Sequence, residues 1–306
     1  MPYKTLKDLP LKEYFGPGHR LCQGCGAGII ARLVTKVAGD NTIIVNATGC
    51  VEVATTFYPD TAWGLPYIHV AFENSAAVAS GIRAAYNAMI RKGIVDKNPN
   101  VIVLAGDGGT ADIGLQSLSG ALERGDHILY ICYDNEAYMN TGIQRSSATP
   151  YGAWTTTSPP GKLSPGQKTR KKDLVGIAVA HGVKYAATAT VAYLLDAANK
   201  IEKALNTPGA TFMHFLSPCT PGWRIDTANS IKVSRLAVQT ALWPLYEVVD
   251  GQYITTVKVP KRLPVIEYLK VQGRFRHLIN KPEEVAKIQA YADKLAEKFG
   301  YGPIST

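Results

Sequence analysis

Five short apolar runs punctuate the chain, each bounded by turn residues. They lie within NTIIVNAT (41–48), NPNVIVLAGDGG, HILYICYDN (127–135), VKYAAT (183–188) and ATFMHFLSPC. Consecutive rather than alternating apolar positions predict strands buried on both faces. Between them the pattern predicts helices over 27–38, 73–93 and 112–124, and over TVAYLLDAANKIEKALNTPG. The 73–93 helix is Ala-rich, with Arg91 and Lys92 in its last turn and Gly93 as its stop. Thr190 is the expected N-cap of the last helix, and Pro208-Gly209 its end. Strands alternating with helices of this length imply βαβ units. The expected class is therefore α/β, a parallel sheet with helices on both faces.

The remaining segments read differently. Residues 1–20 look like an extended arm with turns. From 140 to 170 the chain is rich in Thr, Ser, Gly and Pro; a loop of that length inside a compact domain is functional or disordered. The basic run GQKTRKKD (166–173) is expected to be an exposed loop and helix start. Segment 240–278 is interrupted by prolines and is expected to be an extended arm. Beyond it, Val285, Ile288, Ala292, Leu295 and Phe299 recur at three- and four-residue spacing after Pro282. That is an amphipathic helix, to be packed on the same subunit or on a partner. Two regions follow: a domain over 1–235, and a C-terminal arm and helix over 236–306.

With 306 residues, 46% hydrophobic and 19% charged, the chain can bury a sizeable core as a soluble protein. No apolar stretch reaches the roughly 20 residues that cross a bilayer, and MPYKTLKDLPLKEYFGPGHR carries no apolar signal region. A cytoplasmic protein without a membrane partner is expected. The net charge of +9 suits phosphorylated cofactors or an acidic protein as well as nucleic acid. No helix-turn-helix, RNP or zinc-finger pattern accompanies it, so no nucleic-acid partner is expected.

The chemistry gathers at predicted strand ends, where ligands of open parallel sheets bind. One strand ends in Gly106-Asp107-Gly108-Gly109 and the next in Asp134-Asn135. Glycines let the backbone turn tightly and approach a ligand, and the following helix start favours an anion. A carboxylate, an amide and backbone carbonyls are hard oxygen ligands that suit Mg²⁺ bridging to a diphosphate. The spacing from Gly-Asp-Gly to Asn135 resembles the thiamine diphosphate motif. That resemblance implies Asp107, Asn135 and the Ala137 carbonyl as Mg²⁺ ligands.

Four of the five cysteines sit in loops or at strand ends: Cys22 and Cys25 in CQGCG, Cys50 after NATG, and Cys219 in SPCTPG. Four thiolates hold zinc or a 4Fe–4S cluster equally well. Cys132, inside HILYICY, is expected to be a buried small hydrophobe.

CQGCG, TGC, Gly-Asp-Gly, YDNEAYMNTG and SPC taken together resemble the β subunit of 2-oxoacid:ferredoxin oxidoreductases, most like the pyruvate:ferredoxin oxidoreductase (pyruvate synthase) branch, over roughly 15–230. The resemblance implies a thiamine diphosphate-binding fold, with a 4Fe–4S cluster on Cys22, Cys25, Cys50 and Cys219. It also implies Asn140 near the thiazolium and substrate, where a plain turn Asn is the alternative. Thr48 and Gly49 could approach the cofactor through backbone amides. At Glu73-Asn74, helix capping competes with a cofactor contact. The implied activity is oxidative decarboxylation of a 2-oxoacid with coenzyme A, or its reverse, passing electrons to ferredoxin. Pyruvate is the expected substrate; branched-chain 2-oxoacids, 2-oxoglutarate, indolepyruvate and oxalate are alternatives. The Glu that thiamine activation needs, a second thiamine-type domain and an eight-cysteine ferredoxin-like set are missing. Partner subunits are therefore expected: a pyrimidine-binding α, a γ and a ferredoxin-like δ, or fused equivalents. Two other readings are a non-redox thiamine module with structural zinc and a nucleic-acid-binding zinc module. The second leaves the Gly-Asp-Gly to Asn135 spacing without purpose.

Overall fold

The computed structural model of the chain describes residues 3–305. The five apolar runs form β1 (Thr42–Ala47), β3 (Asn100–Gly106), β4 (Leu129–Asp134), β5 (Tyr185–Thr190) and β6 (Thr211–Leu216). An edge strand, β2 (Tyr67–Val70), joins them, and these six pair in parallel. A hairpin of β7 (Tyr246–Val249) and β8 (Gln252–Thr255) adds two antiparallel strands. The sheet order is β2-β1-β3-β4-β6-β5-β7-β8, mixed rather than wholly parallel.

Ten helices complete the described chain: α1 (Gly26–Ala38), α2 (Cys50–Thr55), α3 (Ser75–Arg91), α4 (Leu115–Arg124), α5 (Leu174–Ala180), α6 (Leu194–Asn206), α7 (Thr220–Trp223), α8 (Ser230–Gln239), α9 (Ile266–Leu269) and α10 (Pro282–Phe299). Successive strand residues point to opposite faces. On β3, Val101, Val103 and Ala105 join one core with Ala79 of α3 and Leu118 of α4. Ile102 and Leu104 join the other with Ile30 and Val34 of α1. Both faces are covered, which is why the runs are apolar throughout. Cys132 lies in the first core with no exposure. No helix among the described residues is long and apolar enough to cross a membrane.

Some expectations need correction. Thr190 does not cap α6. It pairs with Leu216 at the end of β5, and the helix begins at Leu194. The helix expected over 112–124 opens instead as a π turn, Gly109–Ile113, before α4. Glycine closes that turn: a Cβ at Gly114 would collide with the Gly109 carbonyl oxygen. The 140–170 loop is ordered by backbone bonds such as Gly152 N–H to Gln167 and Trp154 N–H to Arg274. The basic run does lead into a helix start, with Asp173 capping α5, but it is not wholly exposed: the Lys171 side chain is only 15% exposed among acidic groups.

The 240–278 segment is irregular, as its prolines dictate, but it folds back onto the domain. Asp250 and Gly251 both adopt positive φ (46° and 81°) and close the β7–β8 hairpin. Helix α8 runs through position 235, and Val233, Leu236, Ile288, Ala292 and Phe299 enter the first core. The tail helix α10 thus packs on its own subunit. Its Phe299 ring stacks on Tyr246 with centroids 4.2 Å apart. Phe299→Ala should cost about 3 kcal/mol in chemical denaturation; an unchanged midpoint would mean that α10 is not part of the core.

Candidate active site

Parallel β1, β3, β4 and β6 deliver Thr48-Gly49-Cys50, Asp107-Gly108, Asn135 and Ser217-Pro218-Cys219 to one edge of the sheet. Such carboxyl edges are where ligands bind in open α/β sheets. The π turn follows Asp107 directly, a local irregularity frequent at functional sites.

Asp107 is buried at 1% exposure and accepts a very short hydrogen bond from the Ser146 hydroxyl of the long loop. Burial, and then the nearby Asp134 carboxylate, push its carboxyl well above the usual range. The Asn135 side-chain oxygen lies 2.8 Å from the Ala137 carbonyl oxygen and 2.9 Å from Asp107 Oδ1. Turned over, the amide NH₂ would donate to both. Asp107, Asn135 and Ala137 are thus in mutual reach through one amide head. Gly108 is needed where it stands: a Cβ there would lie 2.3 Å from the Tyr138 ring. That ring is held by a 2.8 Å hydrogen bond from its hydroxyl to Asp112. At Gly109 a Cβ would press on the Phe72 carbonyl at 3.2 Å, and at Gly106 on the Tyr133 ring at 3.4 Å.

Between Asn135 and Ala137, Glu136 is left-handed at φ 71°. Its carboxylate accepts from Arg274 at 2.5 Å and Lys171 at 2.7 Å. Lys171 also reaches Asp134 at 2.9 Å, and His214 Nε2 reaches the same Asp134 oxygen at 2.8 Å. Burial alone would raise the Asp134 carboxyl, but Lys171 and His214 hold it below its ordinary value. The Trp223 indole N–H donates to the Asn135 backbone carbonyl at 2.7 Å.

Cys22, Cys25, Cys50 and Cys219 line one cavity of about 160 Å³, together with Asn135 and the exposed Asn140. Burial pushes the Cys50 and Cys219 thiols up to about 12 and raises Cys25. Negative charge on the other three cysteines adds to the shift at Cys50, a mark of their proximity. Cys22 is exposed. Among the described residues, no three or more His, Cys, Asp or Glu side chains are drawn together tightly enough to hold an ion as they stand.

Thr48 Oγ1 lies 2.8 Å from His69 Nε2, and a Cβ on Gly49 would lie 3.0 Å from the Tyr133 hydroxyl. The buried Tyr133 hydroxyl, Ser217 hydroxyl and Asn74 Oδ1 have no hydrogen-bond partner among the described residues. Asn74 precedes α3 without capping it, so its side chain is free for another contact. The sequence reading missed Tyr133, Tyr138, Ser146, Lys171, Trp223 and Arg274. Tyr138 could have been found as the one large ring following the Gly-Asp-Gly partner loop; Arg274 left no local signal.

A Gly-Asp-Gly turn feeding a buried carboxylate, met by an Asn from the next strand, defines the class. Residues 47–215 match the family "Thiamine pyrophosphate enzyme, C-terminal TPP binding domain". At finer grain, the chain is 56% identical over 295 residues to pyruvate synthase subunit PorB of Methanocaldococcus jannaschii, covering 96% of this chain and 98% of that one. It is 48% identical over 304 residues to ketoisovalerate oxidoreductase subunit VorB of Pyrococcus abyssi, covering 97% and 98%. The chain belongs to this family of 2-oxoacid oxidoreductase β subunits. Its fold is shared with 2-oxoglutarate:ferredoxin oxidoreductase from Magnetococcus marinus, at a TM-score of 0.56 and 18% identity over 72% of this chain and 79% of that one.

Gly108→Ala should displace Tyr138, break its bond to Asp112 and cost about 1–3 kcal/mol in urea denaturation. Adding Tyr138→Ala should recover part of that loss, so the double variant loses less than the two single ones combined. Strict additivity would mean the two residues do not meet.

Proposed function

We propose that the chain is the β subunit of a multisubunit pyruvate:ferredoxin oxidoreductase, a pyruvate synthase. It would convert pyruvate and coenzyme A to acetyl-CoA and CO₂, or the reverse, passing electrons through 4Fe–4S clusters to ferredoxin. The observation that carries this reading is the convergence of Asp107, the Asn135 amide and the Ala137 carbonyl beside a cavity lined by four cysteines.

Mg²⁺ takes hard oxygen ligands in a compact octahedral set. The Asn135 amide head lies within 2.8 and 2.9 Å of the Ala137 and Asp107 oxygens, so the three groups converge on one small volume. Asp107, the Asn135 amide and the Ala137 carbonyl would hold Mg²⁺, and the turn at Gly108 and Gly109 would hold the diphosphate. Thiamine diphosphate supplies an electron sink when CO₂ leaves a 2-oxoacid. Thr48 and Gly49 would line its approach, and the buried Tyr133 hydroxyl and Asn74 Oδ1 offer further contacts. Asn140 would touch the substrate, because it lines the cysteine cavity at the cofactor's edge. Cys22, Cys25, Cys50 and Cys219 would hold the 4Fe–4S cluster, whose iron would offset the burial and mutual repulsion that otherwise disfavour the Cys50 thiolate. Zinc would leave the electrons of a redox reaction without an acceptor here.

A Glu for the aminopyrimidine and further clusters would come from partner subunits. Five free cysteines suit a reducing, cytoplasmic setting. A branched-chain 2-oxoacid is the second reading, supported by the ketoisovalerate relative.

The test is the complex purified without air. Thiamine and Mg²⁺ should be present, and Cys50→Ser should lose about four iron atoms per chain. Asp107→Ala should abolish Mg²⁺-dependent thiamine retention. A complex holding neither iron nor thiamine sinks the proposal, and a higher kcat/KM for 2-ketoisovalerate than for pyruvate transfers it to the second substrate.

A further inference from the structure

We infer that Trp223 and Arg274 are positioning residues for the cation-and-diphosphate site, an assignment that rests on the function proposed above. The two groups given to Mg²⁺ on the β4 loop, the Asn135 amide and the Ala137 carbonyl, face the same way only because Glu136 between them is left-handed. L-residues other than Gly, Asn and Asp rarely hold that conformation without outside support.

The support comes from far along the chain. The Trp223 indole fixes the Asn135 carbonyl from one side at 2.7 Å. Arg274 fixes the Glu136 carboxylate from the other at 2.5 Å, and its guanidinium lies 4.0 Å over the Trp223 ring. Arg274 is itself oriented by Gln272 Oε1 at 2.9 Å. Trp223 has no exposure and Arg274 only 2%, so neither touches a substrate. They act through the turn. Trp223 also donates its backbone N–H to the Cys219 carbonyl at 2.9 Å, so one residue braces the cation loop and the turn that carries a cavity cysteine.

Trp223→Phe keeps an aromatic ring under Arg274 while removing the indole donor and part of the ring volume. Arg274→Lys keeps the charge and loses the planar stack. In the assembled complex, purified without air, equilibrium dialysis should show thiamine diphosphate Kd at fixed Mg²⁺ raised about 10-fold in each variant, the scale of losing a group that orients metal ligands. The rise should shrink as Mg²⁺ is increased. A purely structural role would lower the melting temperature and leave that Kd unchanged. Wild-type affinity in whichever variant assembles overturns the assignment while leaving the proposed function intact. Absence of Mg²⁺-dependent binding in the wild-type complex overturns the proposed function instead.

Discussion

Everything at the carboxyl edge of the sheet depends on how two buried acids, Asp134 and Glu136, are neutralised. Ionised carboxylates withdrawn from water are tolerated only when paired and hydrogen-bonded. Lys171 spans both acids, Arg274 takes the free side of Glu136, and His214 takes Asp134. The Glu136 N–H returns a 2.8 Å bond to Asp134 Oδ1. The pairing leaves the backbone of 134–137 little freedom, and the cofactor side of the loop inherits that rigidity. A site built on strand ends is already better fixed than one on free loops; here a charge lattice beneath it fixes it further.

Asp107 is the counterpoint. It is as buried as Asp134 but has a hydroxyl where Asp134 has a lysine and a histidine. Asp134 is paired with two basic side chains, whereas Asp107 has a hydroxyl partner and no ion pair among the described residues. Local sequence does not show that difference, since both acids stand at the end of an apolar strand.

Much of the fold was legible because burial on both faces leaves unbroken apolar runs, and five of the eight strands carry them. The hairpin was missed: Asp250-Gly251 between VV and QYIT is a strong turn signal, but the prolines that follow made 240–278 read as an extended arm. The end of β5 was misjudged because Thr serves both as a strand residue and as a helix cap. Of the site, the Gly-Asp-Gly turn, Asn135 and the cysteines could be read, because their chemistry is unusual in any setting. Lys171 and Arg274 could not. A lysine in a basic run and an arginine in an irregular segment look solvated until the tertiary fold brings acids to them.

The bond between Arg274 and Glu136 joins residues 138 positions apart. During synthesis, at about 5–20 residues per second, every strand of the parallel sheet leaves the ribosome before Arg274 does. The 134–137 turn therefore takes its final shape late, after the sheet that carries it. A chain ending between Thr255 and Arg274 would still have every cysteine and every described strand, yet that turn would lack its anchor.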